Sequence, residues 1–179
     1  EKFDTESFRK LGEYGILGLH FPEELGGQGA DVVTTVLAGE ALGEAGVDGG
    51  LTLAYGAHTF LCADTIFVNG TDEQKKKYIP KLASGEYLGA FGLTEPNAGS
   101  DVISMKLSAR DEGDHFVLNG NKMWITNASM ADVATVWAQT GELGDASSIR
   151  GFVVPTDTPG VSARDQKGKL SLLASDTSE

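Results

Sequence analysis

GEYLGAFGLTEPNAGSD, spanning Gly85 to Asp101, marks a change in the hydrophobic period of this chain. Upstream, apolar residues recur every three or four positions, as on one face of a helix. Downstream, they gather in short runs of β-formers bounded by turn residues. The stretch opens as a strand, Tyr87 to Leu93, and the strand ends at a hydroxyl residue, Thr94. It then turns through Glu95, Pro96, Asn97, Ala98, Gly99, Ser100 and Asp101. A loop of that composition offers backbone N–H groups and small hydroxyls to a ligand, and Gly99 permits close approach. An ordinary polar turn after a strand has the same composition. The chain is therefore expected to be α+β: a helical domain over residues 1–86, then a small antiparallel sheet or barrel over residues 87–179.

Four helices are expected upstream. Phe8, Leu11, Gly12, Gly15, Ile16 and Leu19 share one face of a first helix, with Asp4 or Thr5 as its N-cap. Phe21-Pro22 and the glycines Gly26, Gly27 and Gly29 then force a loop. A second helix is predicted from about Asp31 to Ala45, with Val33, Val36, Leu37 and Ala41 inward and Glu40 and Glu44 solvated. Asp48-Gly49-Gly50 breaks it. Leu51 to Val68 reads as a mostly buried third helix with Asn69-Gly70 as its C-cap. Thr71 with Gln74 is a capping-box match for a Lys-rich fourth helix, which Pro80 ends or kinks near Ile79.

Downstream, the predicted strands are Tyr87–Leu93, Lys106–Arg110, His115–Leu118, Val133–Ala138, Gly151–Val154 and Val161–Ala163. Asp111-Glu112-Gly113-Asp114 and Asn119-Gly120-Asn121 are hairpin-turn signals between them. The helical-to-β boundary falls near Gly85–Leu88.

Composition narrows the function classes. Fourteen basic and 26 acidic residues give a net charge of −12 and a pI of about 4.6. That balance argues against nucleic acid as a partner, because phosphate binding needs basic patches. Apolar residues at 40% and charged residues at 22% describe a globular chain, long enough at 179 residues to bury a core. Gly is in excess, 24 residues, about twice its usual share. One cysteine, Cys62, makes neither an internal disulfide nor a metal cluster, which fits a reducing compartment. No secretory pattern opens the chain. The longest weakly polar stretch, Leu51–Val68, is interrupted by Thr52, His58 and Asp64, so no membrane span is expected.

A second informative stretch is Lys122-Met123-Trp124-Ile125-Thr126-Asn127. In an extended chain Trp124 and Thr126 project to one side. A planar heteroaromatic cofactor could use the ring for contact and the hydroxyl for a hydrogen bond. A core tryptophan of a β domain is the competing interpretation.

Together the two stretches resemble the acyl-CoA dehydrogenase family. The resemblance rests on Leu93-Thr94-Glu95-Pro96-x-x-Gly99-Ser100-Asp101, then Leu118-Asn119-Gly120-Asn121-Lys122 and Trp124-Ile125-Thr126-Asn127. It extends from Phe21-Pro22-Glu23-Glu24-Leu25-Gly26-Gly27 to Lys169-Leu170-Ser171. It implies a flavoenzyme with FAD, built from a helical domain, a β domain and a C-terminal four-helix bundle that these 179 residues do not contain. It further implies that Phe91, Leu93 and Thr94 contact the flavin ring, with Trp124 and Ile125 beside it. Thr126 would bond near the flavin N5, Gly99 and Ser100 would sit where cofactor and thioester meet, and Ser100 would touch the pantetheine arm of CoA.

The implied reaction is α,β-dehydrogenation, in which a glutamate takes the α-proton and hydride moves to the flavin. That glutamate belongs to the bundle, so the catalytic residue is left unassigned and the chain is expected to be inactive alone. Glu95 is expected to be structural. Tyr55-Gly56-Ala57-His58-x-x-Leu61-Cys62 resembles the isovaleryl-CoA type, while Ser148-Ile149-Arg150-Gly151-Phe152 is similar to the glutaryl-CoA type. Thr52 stands where the glutaryl type carries the arginine for its distal carboxylate, which points to a short or branched monocarboxylic acyl group. Leu173 stands where the resemblance places an arginine. His58 reads either as a ligand contact or as a satisfied core histidine, and Cys62 as a small buried residue.

Implied partners are acyl-CoA and an electron-transfer flavoprotein, with a tetramer in the full-length form. The expected location is the cytoplasm, or the mitochondrial matrix in a eukaryote. Two other functions stay open: an O₂-using acyl-CoA oxidase-like flavoenzyme, and a non-catalytic acyl-CoA- or partner-binding module.

Overall fold

The computed structural model describes residues 3–45 and 49–179, so Asp48 of the expected break lies outside the described residues. Helix α1, Thr5–Glu13, is capped by Asp4, whose carboxylate accepts the Ser7 N–H. Phe8, Leu11 and Gly12 are its buried face. The expected continuation through Ile16 and Leu19 is interrupted at Gly15, whose φ of 75° is left-handed. Ile16–Gly18 forms a separate 3₁₀ turn.

Helix α2, Val32–Glu44, is present with Asp31 as its cap, but its inward face differs from expectation. Val33, Val36 and Leu37 are 66%, 56% and 55% exposed, and Ala41 is exposed as well. The inward stripe is Thr35, Gly39 and Leu42. This helix is apolar nearly all round, so periodicity does not choose a face. Small size chooses it: Gly39 lets the Tyr55 ring approach, and the Tyr55 hydroxyl donates to the Thr35 carbonyl at 3.2 Å.

The expected third helix is a 21-residue rod, Gly49–Asn69, made of α3 (Gly49–Gly56), a π-turn (Ala57–Ala63) and α4 (Asp64–Asn69). Its length and composition would suit a membrane span, but half of it is buried inside the protein. Helix α5, Asp72–Ala83, begins with the capping box of Thr71 and Gln74. It passes through Pro80 for one more turn instead of ending there. The bond that Pro80 cannot make would go to the Lys76 carbonyl, on an exposed residue that water reaches. Ile79, Leu82 and Ala83, all buried, hold the last turn in place.

The sheet is mixed and, among the described residues, does not close into a barrel. Strand β1 (Gly89–Gly92) runs parallel to β5 (Val133–Gln139), from the pair Gly89↔Val133 to Gly92↔Val136. Strand β6 (Ile149–Pro155) lies antiparallel on the other side of β5. The expected hairpin of β2 (Ser108–Asp111) and β3 (Phe116–Asn119) turns at Gly113, φ 93°, and joins β5 at Ser108↔Gln139. A second, two-stranded sheet pairs β4 (Ile125–Thr126) with β7 (Thr177–Ser178). Val161–Ala163 is irregular rather than a strand; ladder-like pairing begins only at Arg164, whose N–H donates to the Glu179 carbonyl. One sheet face sets Val133 and Val153 against Cys62, Ala63, Ile79 and Leu82. The other buries Ala90, Ile125, Leu107, Ala109 and Ala138. Strand β1 is thus held between the helices and the rest of the β layer.

Candidate functional site

Strand β1 ends at Gly92, and the next residues meet the segment that leads into β4. The Lys122 ammonium donates to the Leu93 carbonyl at 2.9 Å and to Glu95 Oε1 at 2.9 Å. The Met123 N–H donates to the Thr94 carbonyl at 2.8 Å. These bonds bring the two sequence stretches, nearly thirty residues apart in the chain, into one ridge.

Glu95 is the internal fastener. Its carboxylate accepts the N–H groups of Lys106 at 2.6 Å and Leu107 at 2.9 Å, besides the Lys122 ammonium. Both partners are buried, at 9% and 7% side-chain exposure for Lys122 and Glu95. Burial alone would raise the Glu95 pKa, but the Lys106 N–H, the Lys122 ammonium and the Leu107 N–H together hold it below the ordinary carboxylate value. Burial lowers the Lys122 pKa more than Glu95 raises it. With three donors on its two oxygens, Glu95 is a structural anion, as its place in the turn suggested.

The turn closes as Glu95 and Ala98 exchange backbone bonds of 3.0 and 3.2 Å. Pro96 and Asn97 sit exposed at its tip, and Gly99 and Ser100 follow it, also exposed. A Cβ added to Gly99 would meet nothing within 4 Å, so the space beside it is open. Leu93 and Thr94 are half-buried on the ridge. Phe91 is half-buried too, and meets the Trp137 ring edge-on at 6.1 Å between centroids.

Trp124 is not a core tryptophan. Its backbone has φ 63°, and the residue is 60% exposed. A bulky aromatic in left-handed backbone and facing solvent is uncommon and costs conformational energy. Core packing does not repay that cost here. Thr126, two residues on, is half-buried. Ile125, expected beside a cofactor, instead turns its side chain into the core with Ala90 and Ala131 at 6% exposure. An exposed indole, half-buried hydroxyls at Thr94 and Thr126, and open space at Gly99 suit a planar heteroaromatic ligand with a polar edge.

Other candidates are structural. His58 is fully buried, accepting the Gly89 N–H at Nδ1 (2.9 Å) and donating from Nε2 to the Leu82 carbonyl (3.0 Å). The Cys62 thiol lies 3.7 Å from the Thr135 hydroxyl, and burial pushes its pKa up to about 11, so it is no nucleophile. Glu40 and Glu44 are exposed on α2. Sequence reading did not anticipate the Glu95–Lys122 pair or the bonds of Asn127. The signal for the first was a lone lysine just before the apolar run Met123-Trp124-Ile125; the second carried none.

Residues 1–86 match the family model for the acyl-CoA dehydrogenase N-terminal domain, and residues 90–179 the model for its middle domain. Mitochondrial isovaleryl-CoA dehydrogenase of Pongo abelii is 45% identical over 177 residues, 97% of this chain and 41% of that protein. The crystal structure of a glutaryl-CoA dehydrogenase from Mycobacterium smegmatis in complex with FADH2 superposes with a TM-score of 0.90 at 45% identity. That match covers 99% of this chain and 44% of the other. The prolyl acyl carrier protein oxidase AnaB superposes with a TM-score of 0.94 at 33% identity, covering 99% of this chain and 47% of its own. The chain spans less than half the length of each of these relatives. By two family models that together cover nearly every residue, the chain belongs to the acyl-CoA dehydrogenase family.

Proposed function

We propose that these 179 residues form the flavin- and thioester-binding part of an FAD-dependent enzyme that desaturates the α,β bond of a short- or branched-chain acyl-CoA. The observation that carries this is Trp124, displayed at 60% exposure on left-handed backbone beside Thr94 and Thr126. Bound FAD supplies the two-electron acceptor that no side chain can provide. Thr94 and Thr126 offer hydrogen bonds to the polar edge of the ring, and the Trp124 indole keeps water off it. Phe91 and Leu93 add apolar contact, while Gly99 and Ser100 face the thioester arm. The proton acceptor is assigned to no residue here, because Glu95 is committed to Lys106, Leu107 and Lys122.

The acyl group is proposed to be monocarboxylic. Thr52 lies half-buried on α3, and no Arg or Lys occurs between Glu40 and Lys75 to partner a distal carboxylate. Electrons are proposed to leave to an electron-transfer flavoprotein. The likeness to an oxidase favours a second reading in which O₂ is the acceptor. Comparing flavin reoxidation in air with reoxidation by electron-transfer flavoprotein separates the two.

Trp124→Ala is expected to weaken FAD binding at least about tenfold while changing unfolding stability by no more than about 0.5 kcal/mol, since the residue it truncates is mostly exposed. The check is a flavin titration followed by its visible spectrum, beside a urea melt. Unchanged affinity would remove the basis for placing the ring there. Turnover of isovaleryl-CoA by these 179 residues alone would show that one of them is the proton acceptor and would overturn leaving that role unassigned here.

A further inference from the structure

Gly89, the first residue of β1, is held on three sides. Its N–H donates to His58 Nδ1 at 2.9 Å. Its carbonyl accepts from Asn127 Nδ2 at 3.1 Å, and the same amide donates to the Ala54 carbonyl at 3.2 Å. A Cβ at this position would come within 2.8 Å of Cys62 Sγ, so only glycine lets the strand reach the rod. Ala54, His58 and Cys62 follow one another at four-residue spacing on that rod, the first in α3 and the other two within its π-turn. π-turns are rare and re-aim side chains locally.

The His58 ring is committed to one tautomer. Nδ1 accepts, so Nε2 carries the proton that goes to Leu82 at the end of α5. The ring stays neutral, since burial pushes its pKa down to about 4. Asn127 is committed too. It is fully buried with φ 70°, spends both amide hydrogens on Ala54 and Gly89, and leaves its own Oδ1 buried with no partner among the described residues. Strained backbone and an orphaned oxygen are costs that a residue filling space would not carry.

We propose that Gly89 is the joint that sets β1 and the Trp124–Asn127 segment against the α3 rod, with His58 and Asn127 as its two positioning residues. His58 grips the N–H and Asn127 the carbonyl of one peptide-linked residue, so neither bond keeps its geometry once the other is lost. On the reading proposed above, the joint fixes Leu93, Thr94 and Trp124 relative to the helix that carries Thr52. Amide exchange tests it without bound flavin, so the joint and the flavin assignment fail separately.

The test is amide hydrogen exchange, read residue by residue by NMR, on the 179-residue chain and four variants. Asn127→Gly tolerates the left-handed backbone and deletes the amide, at the cost of added backbone freedom confined to that residue. It is expected to speed exchange about tenfold or more at Gly89 and Ile125, with Ile79 in α5 unchanged. His58→Phe keeps a ring but no polar atoms and is expected to do the same. His58→Gln, whose amide can both accept from Gly89 and donate to Leu82, is expected to stay within about threefold of the parent chain. The double variant, His58→Phe with Asn127→Gly, is expected to exceed the larger single effect by no more than about threefold, because independent sites would multiply instead. Multiplying effects, uniform loosening that includes Ile79, or a His58→Phe chain as protected as His58→Gln would each overturn the joint. Should His58→Phe not fold, Asn127→Gly alone decides: unchanged exchange at Gly89 overturns it.

Discussion

Lys122→Met is expected to cost about 3–5 kcal/mol of stability, seen as a lower urea midpoint with an unchanged slope. The variant keeps most of the apolar stem, so little packing is lost. What it removes is the ammonium that Glu95 Oε1 and the Leu93 carbonyl both accept from. Glu95 then remains an uncompensated anion at 7% side-chain exposure, and the ridge loses its tie to the β1 exit. A loss below about 1 kcal/mol would mean that the two backbone N–H donors suffice by themselves. The pH dependence has a definite sign. The Lys106 and Leu107 N–H groups and the Lys122 ammonium hold the Glu95 pKa below the ordinary carboxylate value, so its contribution is fully present above that ordinary value and is lost as pH falls through the lowered, folded-state one. Stability of the parent chain is therefore expected to drop on acidification below about pH 5, and the drop attributable to Glu95 to shrink in Lys122→Met.

Gly12→Ala is expected to be comparably severe, about 3 kcal/mol, although alanine is the better helix former. Gly12 lies on the buried face of α1 where the Ser84–Gly85 turn crosses it. An added Cβ would lie 2.1 Å from the Ser84 carbonyl oxygen and 2.9 Å from the Gly85 nitrogen. Both are backbone atoms, so no rotamer change relieves the clash; α1 or the turn into β1 must move. Gly43→Ala in α2 is the control, because a Cβ there meets nothing within 4 Å. It is expected to stabilise by about 0.5–1 kcal/mol from propensity alone. Thermal melts of both variants check the contrast. A large loss at Gly12 beside a small gain at Gly43 would support packing over propensity; two gains would show that the α1 contact can relax.

The helices were legible because their signals are local. Asp4 and Thr71 cap where their types and spacing say they should, and Gly113 turns the β2–β3 hairpin. The two stretches that form the ridge were legible as well, because they are rare and their order carried a family resemblance. Errors fell where local signals tie. Helix α2 is apolar on several sides, so Gly39 and Tyr55 chose its inward face. Pro80 broke no helix, because Ile79 and Leu82 are buried on either side of it. The parallel pairing of β1 with β5 joins residues more than forty positions apart, which no turn residue announces.

By itself, the sequence determined the order of helical and β parts, the caps and hairpin, the family, and the stretches that build the ridge. These depend on residue type at short spacing, where propensity and turn chemistry act. Only the tertiary structure decided that Trp124 faces outward on strained backbone while Ile125 faces in, that Glu95 is held by Lys122, and that Gly89 is clasped by His58 and Asn127. Each of those depends on a partner that chain folding, and not chain order, brings within hydrogen-bond reach.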